Sequence, residues 1–188
     1  MSIDLSTNYG GILLRTPIVV GACPLATDDH MRARLQAAGA GAIVLPSVFE
    51  EQVIEWTQKM GRPITYREKA LLARSERLRI RSACRDAESY LALLKRATSQ
   101  LDIPVIASMN GYAANGWLDY AGELQEADAA AIELNVHHPP VNDHAGSGEI
   151  EESIVAAIEE IDHAISIPLF VKIERVGVSL PHLARRVC

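Results

Sequence analysis

Short apolar runs rich in Val and Ile recur along the chain, separated by stretches whose apolar positions repeat at helical spacing. The runs are TPIVVGA (16–22), GAIVLPS (41–47), IPVIASM (103–109), AAAIELNV (129–136) and IPLFVKI (167–173). None alternates apolar with polar throughout, as a strand with one wet face does. Near-continuous apolar runs of this length are what strands look like when both faces are covered, as in a parallel sheet. Between them the spacing predicts helices over 28–38, 87–98, 117–125 and 148–165, with a last one over 179–186. Asp28 and Gly39 bracket the first of these as start and stop signals. The fourth opens on acidic residues, which suit the positive end of a helix dipole. The opening IDLSTNYGGILLRTP reads as a small hairpin about residues 8–11.

Strand–helix alternation is the signature of an α/β fold with parallel strands and right-handed crossovers. No GxGxxG or GxxxxGK[ST] follows any strand, so the usual phosphate-loop arguments for an open doubly wound sheet are missing. Polar residues instead sit at successive strand ends: Ser47, Ser108 with Asn110, Glu133 with Asn135, and Lys172. Ligands of parallel α/β folds bind beyond the carboxyl ends of the strands. The pattern therefore predicts a partial (β/α)8 TIM barrel, with about five parallel core strands and an N-terminal hairpin. It predicts a single domain over 1–188, with a charged helical or loop insertion over 54–85.

Composition narrows the function. The 188 residues carry a formal net charge of −6, with 48% hydrophobic and 22% charged residues, which suits a globular domain with a real core. The acidic balance argues against nucleic-acid binding, and the arginines of 74–85 are interleaved with acids rather than aromatics. No apolar run reaches membrane-spanning length, and the N-terminus lacks the pattern of a signal peptide. Three widely spaced cysteines form no CxxC pair, which fits a reducing, cytoplasmic compartment. His137, His138, Asp143 and His144 match no specific metal-ligand spacing, so no metal site is expected.

The ordered phrases DLSTNYGGILLRTPIVVGACPL, QAAGAGAIVLPSVFEEQ, IPVIASMNG, IELNV and IPLFVKI resemble the dihydroorotate dehydrogenases, more closely their dihydroorotate dehydrogenase-like bacterial branch. The resemblance covers most of residues 3–173. It implies an FMN-dependent oxidoreductase converting dihydroorotate to orotate in pyrimidine synthesis. Under it Gly21, Ala22 and Cys23 pass beside the flavin, where small residues let a flat ring approach the main chain. Ser47, Ser108 and Asn110 lie at the polar edge of the ring, the last two either bonding it or capping a turn. Asn135 contacts flavin and substrate through an amide that both donates and accepts. Lys172 stabilises charge on the reduced flavin, and His138, three residues past Asn135, takes the place of the family's Cys or Ser base.

This chain departs from that pattern at Pro46, where the family has lysine. It also ends fifteen residues after its last strand, whereas a full barrel takes about 250 residues. The resemblance thus implies a truncated member that lacks the FMN-phosphate part of the site. The alternative is a non-catalytic fragment that associates with itself as a homodimer, or with a partner half.

Overall fold

The computed structural model describes residues 3–78, 82–111, 114–136, 146–173 and 178–188. The chain opens with strands β1 (Thr7–Tyr9) and β2 (Ile12–Leu14), an antiparallel hairpin. Its turn is Gly10–Gly11, both at positive φ (54° and 94°), where glycine carries no steric cost. Strand β3 (Val19–Val20) and a 3-10 turn (Pro24–Thr27) lead to α1 (Asp29–Ala37). The Asp28 carboxylate caps that helix by accepting from the Met31 N–H at 2.8 Å. Strands β4 (Ala42–Val44) and β5 (Val48–Phe49) are followed by α2 (Glu50–Lys59) and α3 (Tyr66–Leu78). The stretch 54–85 thus holds most of α2, which runs on directly from β5, together with α3.

The second half alternates α4 (Ala87–Gln100), β6 (Val105–Asn110), α5 (Ala114–Glu126), β7 (Ala131–Val136), α6 (Ser147–Ala164), β8 (Leu169–Ile173) and α7 (Leu180–Val187). Asp86 caps α4 through the Ser89 N–H at 2.8 Å. Thr65 and Glu68 form a reciprocal capping box at the start of α3.

The main sheet has the order β3-β4-β6-β7-β8, every pair parallel, with β5 added beside β6. The expected α/β architecture is therefore present: a curled half-barrel of five parallel strands with an N-terminal hairpin. Alternate residues of each strand serve two cores. Ile43, Val105, Ala107, Met109, Ile132 and Leu134 face the helices, among them Tyr90, Leu94, Trp117, Tyr120 and Ile158. Each of the larger aliphatic side chains among them contributes about 1.5–3 kcal/mol by leaving water. Ala42, Val44, Ile106 and Ala131 face the concave side with Leu14 of the hairpin and the partly buried Phe170. The hairpin thereby closes the amino-terminal end of the curl, and Tyr9 stacks on Phe170 at 4.6 Å between ring centres. Strand β8 lies at one edge of the sheet and is only partly buried, unlike β6 and β7.

No helix among the described residues is long and apolar enough to cross a membrane.

Candidate active site at the carboxyl ends of the strands

The concave face changes character along the strands. Its lower layer is apolar, and the next residues towards the carboxyl ends are Ser108 and Asn110 on β6, Glu133 and Asn135 on β7, and Lys172 on β8. Register sets them side by side: Ser108 is level with Glu133, and Asn110, Asn135 and Lys172 form one row. Ser47 joins them from the break between β4 and β5. Pairing of β4 with β6 covers Ile43–Val105 and Val44–Ile106, and resumes as β5 at Val48–Met109. Proline at 46 has no N–H to give a ladder, so the interruption falls where the sequence requires it. The Ser108 N–H donates to the Tyr90 hydroxyl at 2.7 Å instead. Burial pushes the Tyr90 phenol far above its ordinary range, so it remains protonated.

The side chains form one connected cluster. The Ser47 and Ser108 hydroxyls are 2.8 Å apart, and Ser108 Oγ donates to Glu133 Oε1 at 3.2 Å. Asn135 Nδ2 donates to Ser108 Oγ (2.9 Å), Ser47 Oγ (3.1 Å) and the Met109 carbonyl (3.3 Å). The Met109 carbonyl, which can only accept, favours this orientation of the amide. Its Oδ1 is left buried with no partner, in a residue only 7% exposed. Such an oxygen costs about 1–3 kcal/mol, and native structures tolerate few of them. Lys172 Nζ stands 3.6 Å from Glu133 Oε1, with the lysine 54% and the glutamate 19% exposed. The cluster thus offers solvent a carboxylate, the Ser47 hydroxyl and a cation, with the Ser108 hydroxyl buried behind them.

Beside Ser47 a cleft of about 500 Å³ opens between Ala22, Cys23, Thr27, Pro46, Phe49 and the segment at Ser82–Ala83.

Of the residues expected from sequence, Ser47, Ser108, Asn135 and Lys172 come together, with Asn110 level with Asn135. Ala22 lines the neighbouring cleft, and Gly21 precedes it on an exposed stretch. A Cβ built on Gly21 meets nothing within 4 Å, so no protein contact demands glycine there. His138 lies outside the described residues, as do His137, Asp143 and His144. Among the described residues no group of three or more His, Cys, Asp and Glu is placed to hold a metal ion. The hub is Glu133, which the sequence places among the polar strand ends but to which it assigns no role. Its signal was a lone carboxylate inside an otherwise apolar strand, which needs a partner or a purpose.

The fold and site together define half of a (β/α)8 barrel with a polar centre at the strands' carboxyl ends. No protein-family model matches the chain. It is 25% identical over 175 residues to the "Putative dihydroorotate dehydrogenase A (fumarate)" of Aeropyrum pernix, covering 90% of this chain and 53% of that protein. Among solved structures it resembles the dihydrodipicolinate synthase of Agrobacterium tumefaciens, with a TM-score of 0.55, 13% identity, and 90% and 50% of the two chains covered. A prophage protein of the dihydrodipicolinic acid synthase family from E. coli K12, in complex with pyruvate, gives a TM-score of 0.55, 15% identity, and 90% and 49% coverage. A phosphonopyruvate hydrolase with oxalate and Mg++ gives 0.51, 15%, and 91% and 53%. The chain spans about half the length of each of these proteins. At this identity the likeness shows the fold alone.

These structures correct the expectation drawn from the dihydroorotate dehydrogenase resemblance. The solved structures named above are dihydrodipicolinate synthase-type proteins and a phosphonopyruvate hydrolase rather than FMN-dependent dehydrogenases. Membership in the dehydrogenase family, the FMN cofactor, dihydroorotate oxidation and the place in pyrimidine synthesis are withdrawn with it. The reason is physical. Three of the phrases that carried the resemblance, around 103–109, 132–136 and 167–173, are the barrel strands themselves. Burial on both faces dictates their Val and Ile content, whatever chemistry sits above them.

Proposed function

We propose that the carboxyl-end cluster is half of a lyase-type active site for a small hydroxylated 2-oxo acid, cleaved at a carbon–carbon bond. The observation that carries this reading is the pairing of Lys172 with the Glu133–Ser108–Ser47–Asn135 network on one concave face. Lys172 supplies a cation for the substrate carboxylate, or for the enolate oxygen that develops as the bond breaks. Glu133 supplies the base. The pyruvate and oxalate held by similar folds support an oxo-acid ligand of this size. The three cysteines are free, which supports a cytoplasmic setting.

The test is calorimetric titration of the full chain with pyruvate and with oxalate, repeated on Lys172→Met. A lost charge-assisted contact is worth about 1.5–3 kcal/mol, so Lys172→Met is expected to bind about 10- to 100-fold more weakly. Equal affinity in the two proteins, or no binding to either, would refute the reading.

A further inference from the structure

Strand β8 has the composition of a covered strand in an uncovered position. Leu169, Phe170, Val171 and Ile173 are as apolar as the residues of β6 and β7, which are buried almost throughout. In β8 each of the four is only partly buried, and Lys172 is exposed. Among the described residues β8 pairs with another strand on one side alone, with β7. An apolar edge five residues long is a template for a further strand. The other edge, β3, is only two residues long, and short edges are poor templates.

The bond between β7 and β8 sets the backbone phase of the open edge. The Ile132 N–H donates to the Pro168 carbonyl at 3.0 Å, so the main-chain groups of Phe170 and Lys172 also face β7. Successive residues of a strand alternate, so Leu169, Val171 and Ile173 turn their N–H and C=O groups to the open edge. An antiparallel copy of the same strand meets those groups in kind. Centred on Val171, it sets Val171 opposite Val171 and Leu169 opposite Ile173, each pair exchanging both of its N–H···O bonds. The residues between them form the closer pairs, and there Phe170 of each copy faces Lys172 of the other, a cation against an aromatic ring. A centre on Lys172 would set ammonium against ammonium. A centre on Phe170 would leave Lys172 and Ile173 opposite residues outside the strand. The surface area fits the same partner. A compact monomer of 20.5 kDa exposes about 8,900 Å², whereas this chain exposes 10486 Å². The excess, about 1,600 Å² per chain, is more than the roughly 800 Å² that each side of a standard interface buries.

We propose that β8 is a dimerisation edge, on which two copies of this chain pair antiparallel about a two-fold axis at Val171, with Lys172 of each against Phe170 of the other. Two copies do not instead complete one barrel, because two sheets of five strands exceed the eight that close the ring. Antiparallel pairing turns the carboxyl ends of the two sheets, and so the two polar clusters, to opposite ends of the dimer.

The experiment reads the mass of the full chain by sedimentation over a range of micromolar concentrations. Wild type is expected at twice its 20.5 kDa. Val171→Pro removes an N–H that faces the open edge and leaves the β7 ladder in place, so the dissociation constant of the dimer should rise about 10- to 100-fold. A cross-link keeps the pairing testable if proline unfolds the strand. In a Cys188→Ser background, which removes the exposed native thiol, Phe170→Cys with Lys172→Cys should give an intermolecular disulfide on oxidation. Neither single variant should, since each cysteine then faces a lysine or a phenylalanine. A wild-type chain that sediments as a monomer throughout would overturn the proposal and leave the edge to a different chain. A folded Val171→Pro that dimerises as tightly as wild type would overturn it as well. So would single cysteine variants that cross-link as completely as the double, or a dimeric double variant that does not cross-link.

Discussion

Replacing Gly10 by alanine should cost far more than replacing a glycine that is equally unusual in backbone but free of neighbours. Gly10 has φ +54°, and a Cβ there runs into the Phe170 ring, which Tyr9 holds from the other side at 4.6 Å. The left-handed backbone costs alanine about 1–2 kcal/mol. Forcing the ring aside in a packed layer adds about 1–3 kcal/mol. The sum is about 2–5 kcal/mol. Gly39, at φ +99° with nothing within 4 Å, supplies the control, because Gly39→Ala bears only the backbone part. Urea unfolding followed by circular dichroism reads the difference. With a slope of about 2 kcal/mol/M, Gly10→Ala should lower the midpoint by about 1–2.5 M and Gly39→Ala by about 0.5–1 M. Adding Phe170→Leu to Gly10→Ala should return part of the loss. Equal shifts in the two single variants would refute the idea that the hairpin seals the half-barrel through this contact.

Other outcomes follow from particular contacts. Asp86→Ala removes the cap of α4 and should cost about 1 kcal/mol at neutral pH. Hydrogen bonds from the Ser89 hydroxyl and N–H, with Arg85 beside it, lower the Asp86 carboxyl to about 2. A depressed carboxyl stabilises the fold above its unfolded value of about 3.9, and the benefit disappears as pH falls through about 2. The gap between wild type and Asp86→Ala in acid titrations should narrow over that window. Glu68 is buried, which alone raises its carboxyl, but the Thr65 N–H at 2.7 Å and Arg62 at 2.5 Å outweigh burial and lower it. Glu68→Gln should therefore destabilise by about 1.5–3 kcal/mol at neutral pH, and its deficit should shrink in acid as the wild-type carboxylate protonates. Gly111→Ala drives a Cβ into the Trp117 indole and should cost about 1–3 kcal/mol in thermal unfolding, with a change in tryptophan fluorescence.

The fold was legible because parallel strands covered on both faces leave a strong mark, and 41–47, 103–109 and 129–136 each contain one. Strand β5 was not read, since two residues beyond a proline carry no period. Helix α2 was blurred into a charged insertion, although buried Val53, Ile54 and Trp56 hold it to the core. The row of polar strand ends was legible, and the register brings Ser47, Ser108, Asn135 and Lys172 together there. The chemistry was not, because strand phrases report burial and many reactions share one barrel. Glu133 was visible as a polar strand end but received no role, for a related reason. Its importance lies in contacts with residues 25 and 39 positions away, which only the register of β6, β7 and β8 brings together.

The central claim is tested most directly by the side-chain amide of Asn135 in a nitrogen-15 spectrum of the full chain, followed as pyruvate is added. The account predicts that the Asn135 Nδ2 resonances and the Lys172 backbone amide shift together and saturate on one binding curve. It predicts that Lys172→Met moves that curve about 10- to 100-fold to higher ligand concentration. Saturable shifts confined to the opposite, hairpin end of the strands, or an Asn135 amide that does not respond, would contradict it.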